Sequence, residues 1–189
     1  DIESFGNKMS TRFKEFCLEY GRDLKLIFEP GKFLVSEAGV FITKVNSTKT
    51  TPSTVFAQVN SGFNHFPRPM MYDAYHHIEN ISNPDGEQRL YTIVGYVCET
   101  DTFGYDRKLN EVRNGDLLAF HNAGSYCSSM SSQYNSRVRP AEVLIEGDQA
   151  YLIRERETMD DLLRGTIEHG FYLDFVIQGK EEAEIPVPS

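Results

Sequence analysis

A mostly β protein, entered through one helix and one strand, is the fold class that the 189-residue sequence predicts. Three observations carry that expectation. Short β-branched or aromatic runs recur from residue 40 onward, turn-forming stretches separate them, and only the start of the chain has helical spacing.

The start comes first. Between residues 7 and 20, Met9, Phe13, Phe16, Cys17 and Tyr20 recur at helical spacing, with Lys8, Arg12, Lys14 and Glu15 on other faces. Gly21 follows as the stop. The run LKLIFEPGK then reads as a short buried strand broken by Glu29-Pro30-Gly31, so that helix and strand look like one step of a parallel α/β sheet or barrel. A single step cannot bury its own faces. Residues 1–35 are therefore expected to be the last αβ step of a larger domain whose remainder is absent.

The strands come next. VFITKV, TVFAQV, LYTIVGYV, GDLLAF, EVLIE and AYLI are separated by turns such as NSTKTTPS, NPDGEQ and RNGD. Some alternate and others are apolar throughout, as expected for an antiparallel β-barrel or sandwich over residues 36–165. LYTIVGYV is expected to end on Cys98, Glu99 and Asp101 and to lead into an aromatic loop framed by Asp101 and Arg107. ETMDDLLRG reads as a short helix capped by Thr158, acidic in its first turn and released at Gly165. Residues 166–189 form a C-terminal extension with one apolar run and an acidic tail.

Bulk properties narrow the function. A net charge of −9 argues against nucleic acid and anionic membrane as partners. No apolar run approaches a membrane span, and no leader pattern opens the chain. Three scattered cysteines without metal-ligand spacing suggest a reducing, cytoplasmic setting. His76-His77 lacks a third ligand at suitable spacing, so no metal site is expected.

The loops hold the candidate chemistry. EPGK joins an acid, a rigid turn, a glycine that lets backbone N–H groups approach an anion, and the charge of Lys32. It also reads as an ordinary Pro-Gly turn. Arg68, between two prolines, and Tyr72 are four residues apart and could share one face of a helical turn, although a surface arginine is the plainer reading. HNAGSYCSSMSSQYNSRVRP is a hydroxyl-rich loop holding Tyr126 and Tyr134, suited to a phosphate or simply to solvent. Cys98-Glu99 alone is no motif, since Cys packs well at a strand end and acids open turns.

Taken in order, EPGKFLVSEAG, VNSGFNHFPRPMMYDAYHH, VCETDTFGYDRKL, GDLLAFHNAGSY and SSMSSQYNSRVRPAEVLI resemble the carboxyl half of the diaminopimelate decarboxylase family. That family is a branch of the alanine-racemase-like, fold type III decarboxylases that depend on pyridoxal 5'-phosphate. The resemblance runs collinearly from about Phe13 to Leu163. It implies a homodimer with active sites shared across the interface, a (β/α)8 barrel domain that holds the cofactor and of whose C-terminal end residues 1–35 would be the remnant, and a C-terminal β-domain. The lysine that binds the cofactor would lie in the barrel, outside this chain, leaving the chain alone with half a site and no activity of its own.

The resemblance also implies roles. Glu29 would pair with the pyridine nitrogen, Gly31 would contact the phosphate through its backbone, and Tyr126 would meet both phosphate and substrate. Lys32 stands where the family usually has Arg as a carboxylate ligand. Arg68 and Tyr72 would bind substrate. Cys98, supplied to the neighbouring subunit's site, would donate the proton that replaces CO2, and Glu99 would hold the distal ammonium. The implied reaction is decarboxylation of meso-2,6-diaminopimelate to L-lysine. An ornithine- or arginine-type decarboxylase of the same fold, and a non-catalytic dimerisation or regulatory β-domain, are the alternatives.

Overall fold

The computed structural model describes residues 1–167. Helix α1, Ile2–Tyr20, begins at Asp1, whose side chain accepts from the Glu3 N–H, and ends at Gly21 in the left-handed region (φ 75°). It therefore starts earlier than the apolar spacing indicated, and none of its residues is buried. The expected buried strand over LKLIFEPGK is absent. Residues 23–30 have no regular structure and are exposed. A parallel strand is made by its neighbours' hydrogen bonds, and the described chain offers this segment none.

A short helix, α2 (Gly31–Val35), and a 3-10 turn, Ser36–Ala38, lead into the sheet. Six strands follow: β1 (Phe41–Thr50), β2 (Val55–Val59), β3 (Ile78–Asn80), β4 (Gln88–Val94), β5 (Thr102–Asn110) and β6 (Leu117–Phe120). Their order is β3-β6-β1-β2-β4-β5. The two edges approach one another, and the Asn80 side chain donates to the Glu111 carbonyl (2.8 Å) just past β5, so the sheet is a nearly closed barrel.

Three expectations need correction. The sheet is mixed, because β2 and β4 run parallel. β3 and β5 were not read as strands, yet β5 occupies the stretch expected to be an aromatic loop; its polar residues on both faces hide the alternation. Finally, β4 ends at Val94, so Cys98 and Glu99 stand on the bend beyond the strand.

The core is one cluster: Val45, Val59, Phe66, Ile93, Phe103, Leu118 and Phe120 are its fully buried centre. Phe66 packs edge-on to Phe120 and His76. Beyond the barrel, β7 (Glu142–Glu146) and β8 (Gln149–Arg154) form a separate hairpin. Between β2 and β3, residues Arg68–Tyr72 form helix α3, and Met159–Leu163 form α4, with the Thr158–Asp161 capping box. The expected apolar run at 171–177 lies outside the described residues.

Candidate active site

Two clusters of functional side chains emerge, each held by close backbone approaches that only glycine permits. The first gathers around Arg68. Pro67 caps α3 and Pro69 occupies its first turn, fixing the helical start. One helical turn then brings Tyr72 beside Arg68, whose guanidinium carbon lies 5.8 Å from the Tyr72 ring centre and 5.7 Å from that of Tyr126. The Arg68 Nε is buried without a hydrogen-bond partner among the described residues.

Tyr126 reaches this place from the loop after β6, in a left-handed conformation (φ 58°) that is strained for a bulky residue. The loop is docked onto α2 through Gly39 and Gly124. The Ala123 N–H donates to the Gly39 carbonyl (2.8 Å) and the Gly124 N–H to the Ser36 carbonyl (3.0 Å). A Cβ on Gly124 would stand 1.9 Å from the Val35 carbonyl oxygen. That contact sets Gly31 and Lys32 beside the tyrosine: a Cβ on Gly31 would meet only the Tyr126 hydroxyl, at 3.9 Å. Desolvation, and then the Arg68 charge, hold the Lys32 ammonium below the usual lysine range. His76, buried behind the cluster, is likewise held below the usual histidine range by burial, and its Nδ1–H donates to the His121 carbonyl (2.9 Å). Two cations, two phenols and an open glycine backbone thus converge, a composition that binds anions.

Glu29 lies at the margin, exposed, with its carbonyl accepting from the Gly31 N–H (2.8 Å). Its carboxylate makes no hydrogen bond among the described residues.

The second cluster is organised by Asp101, whose importance the sequence reading underrated. Its buried carboxylate accepts from the Phe63 N–H (2.8 Å) and the Val97 N–H (3.2 Å), and its carbonyl accepts from the Gly95 N–H (2.7 Å). Burial pushes this carboxyl above its ordinary range despite those donors. Gly95 and Gly62 make room: a Cβ on Gly95 would lie 2.0 Å from Asp101 Oδ2, and one on Gly62 2.7 Å. The strand must stop at Val94 to make this turn, and the bend that results displays Cys98 and Glu99 to solvent. The Cys98 thiol donates to Glu99 Oε2 (3.5 Å), and the Tyr134 hydroxyl donates to Glu99 Oε1. That phenol contact, first among the causes, draws the Glu99 carboxyl below its ordinary range. Cys127, by contrast, is buried, and its thiol is pushed up to about 12. Of the two cysteines in the β-domain, Cys98 alone is accessible.

The sequence reading placed Tyr134 in a hydroxyl-rich loop and Asp101 at the frame of another without joining either to Glu99, and it missed the glycine pair. Gly95 inside an apolar strand run was the available signal, since glycine there marks a close approach.

A nearly closed mixed barrel, with an anion-binding cluster at one loop set and an exposed thiol–carboxylate pair at another, defines a class. Residues 32–124 match the family described as pyridoxal-dependent decarboxylase, C-terminal sheet domain. Within that class the chain's relatives are diaminopimelate decarboxylases. It is 46% identical over 168 residues to the diaminopimelate decarboxylase of Methanothermobacter thermautotrophicus, covering 87% of this chain and 39% of that protein. It is 45% identical to the Pseudomonas fluorescens enzyme over 77% of this chain and 35% of that one. Among solved structures, diaminopimelate decarboxylase from M. jannaschii in complex with L-lysine superposes with a TM-score of 0.71 at 41% identity, over 80% of this chain and 36% of that one. The chain thus spans less than two fifths of the length of these relatives.

Proposed function

We propose that the chain is the C-terminal portion of a diaminopimelate decarboxylase, converting meso-2,6-diaminopimelate to L-lysine and CO2 once joined to a barrel domain of about residues 1–35 and a preceding segment. Residues 36–165 are then the β-domain. The observation that carries this reading is Arg68, clasped by Tyr72 and Tyr126, with its buried Nε unpaired among the described residues and Lys32 alongside. An arginine so placed is a carboxylate receptor.

The same cluster fits the family's cofactor. Gly31 leaves its backbone open beside the Tyr126 hydroxyl, with only that hydroxyl within reach of a Cβ there, at 3.9 Å. Gly31 and Tyr126 would hold the phosphate of pyridoxal 5'-phosphate, and Glu29 would face its pyridine nitrogen. When bound, the cofactor supplies the electron sink that lets an amino acid lose CO2.

The chain's own residues do the rest. Lys32 and Arg68 bind and orient carboxylate, Tyr72 lining the approach. Lys32 binds as a point charge without arginine's fork. Cys98 Sγ–H delivers a proton to the substrate Cα in place of the departed CO2. Glu99 receives the distal ammonium, since a cation leaving water needs a carboxylate. These last two serve the partner subunit of a homodimer. Free cysteines at all three positions accord with a cytoplasmic protein. Among the described residues no helix is long and apolar enough to cross a membrane.

The test is a steady-state assay of the full-length protein on diaminopimelate, ornithine, arginine and lysine. Release of CO2 from diaminopimelate with kcat/KM at least about 100-fold above the others is expected, two added carboxylate contacts being worth that much. Equal or better turnover of ornithine or arginine would move the protein to the other branch.

A further inference from the structure

We infer that Tyr134 is a positioning residue for Glu99, fixing the carboxylate beside Cys98 without neutralising it. The inference deepens the decarboxylase reading and rests on it.

Three observations support it. First, the contact joins parts of the chain far apart in sequence: the Tyr134 hydroxyl donates to Glu99 Oε1, while the Cys98 thiol donates to Oε2 at 3.5 Å. A carboxylate offers about four lone-pair positions, so two remain for a ligand after both oxygens are anchored.

Second, both ends of the contact hang on one frame. The Tyr134 ring packs on Phe63 (5.1 Å between centres), and the Phe63 N–H is bound by Asp101 Oδ1 (2.8 Å), the residue that also shapes the Cys98–Glu99 bend. The loop bearing Tyr134 is pinned to the same segment. Its Ser132 N–H donates to the Asn64 carbonyl (2.7 Å), Cys127 Sγ donates to the His65 carbonyl (3.7 Å), and His65 Nε2 donates to the Val138 carbonyl (2.9 Å). Just past the tyrosine, Asn135 and Ser136 both take left-handed backbone angles (φ 56° and 54°), a strained reversal that aims the ring.

Third, the partner is a phenol and not a cation. Arg137, three residues on, has its guanidinium over the Tyr96 ring (4.6 Å). A lysine or arginine on Glu99 would cancel the charge that an ammonium needs. A phenol orients the carboxylate and leaves it anionic, and the mutual effect is visible: Glu99 is held low and the Tyr134 hydroxyl high, each chiefly by this hydrogen bond.

Tyr134→Phe keeps the ring on Phe63 and removes only the donor. In the full-length enzyme it is expected to raise KM for diaminopimelate on the order of 10-fold, with kcat within about 3-fold of the parent. In the present chain, NMR titration of ring-labelled tyrosines, assigned by the Phe variant, is expected to place Tyr134 above the ordinary tyrosine value of about 10 and to return it there in Glu99→Ala. An unchanged KM, a loss confined to kcat, or a Tyr134 titration indifferent to Glu99→Ala overturns the inference. A parent enzyme inactive on diaminopimelate would instead overturn the decarboxylase reading, and the titration would still report on the contact.

Discussion

The barrel and the segment before it have similar shares of large apolar residues but opposite fates for them. In the barrel, Phe66, Phe120 and Ile93 are wholly buried in one cluster. In residues 1–38, Phe16, Tyr20, Ile27, Phe28, Phe33 and Leu34 are all exposed, and α1 buries nothing. Helical spacing and capping suffice to write α1, because a helix satisfies its own backbone. They do not suffice to write the strand after it, which must borrow hydrogen bonds. The barrel therefore closes a core of its own, whereas the first 38 residues leave large apolar side chains exposed, as the proposed barrel remnant would.

The largest expected effect separates the two regions directly. Phe66→Ala removes a fully buried ring and should cost about 3–5 kcal/mol of stability. Phe16→Ala, on a ring already 47% exposed, should cost less than about 1 kcal/mol. Chemical denaturation of both variants checks the contrast, and comparable losses would mean that the helix packs into the same core.

A second substitution probes the seam between the regions. Gly124→Ala forces a Cβ against the Val35 carbonyl and should cost about 1–3 kcal/mol, or roughly 2–12 °C in Tm for a chain of this size. It should also part α2 from the Tyr126 loop, so that in the full-length protein cofactor affinity falls with it. A variant of parental Tm would show that the seam gives way easily.

The smallest effect concerns Glu157, which ties Arg139 to the loop bearing Gln133. Its carboxylate accepts from Arg139 Nε (2.6 Å), from the Arg139 N–H (2.8 Å) and from Gln133 (3.0 Å). The Arg139 contact, first among the causes, lowers it to about 2. A carboxyl lower in the folded than in the unfolded state stabilises above its unfolded value, about 4.3, and loses that contribution as pH falls toward 2. The Tm gap between parent and Glu157→Gln should accordingly be small but present at pH 7, damped by solvent screening, and should close between about pH 4.5 and 2. A gap constant across that window would remove the ion pair from the account.

How much of this was legible follows from where the information sits. Strands β1, β2, β4 and β6 announce themselves because their apolar residues meet the core in a regular pattern. The helix at Thr158 does so because its cap is local in sequence. β5 does not, since Tyr105, Asp106 and Lys108 are exposed on an edge strand and Gly104 leaves space for Arg107. The Arg68–Tyr72 pairing was readable from spacing and from the flanking prolines. Its meeting with Tyr126 was not, because it depends on Gly39 and Gly124 touching across 85 residues of chain. Cys98 and Glu99 were found by resemblance, while their support, Asp101 and Tyr134, was not, since a buried carboxylate and its donors are visible only in three dimensions.

The central claim is that the Cys98–Glu99 bend completes a site belonging to the partner subunit. Subunit exchange tests it most directly. Full-length Cys98→Ala and a full-length variant lacking the cofactor-binding lysine of the barrel should each be nearly inactive. Mixed, with exchange verified by tagged subunits, they should regain activity, because one site of each heterodimer then unites an intact lysine with an intact Cys98. No recovery after proven exchange would place the thiol in its own subunit's site and contradict the claim.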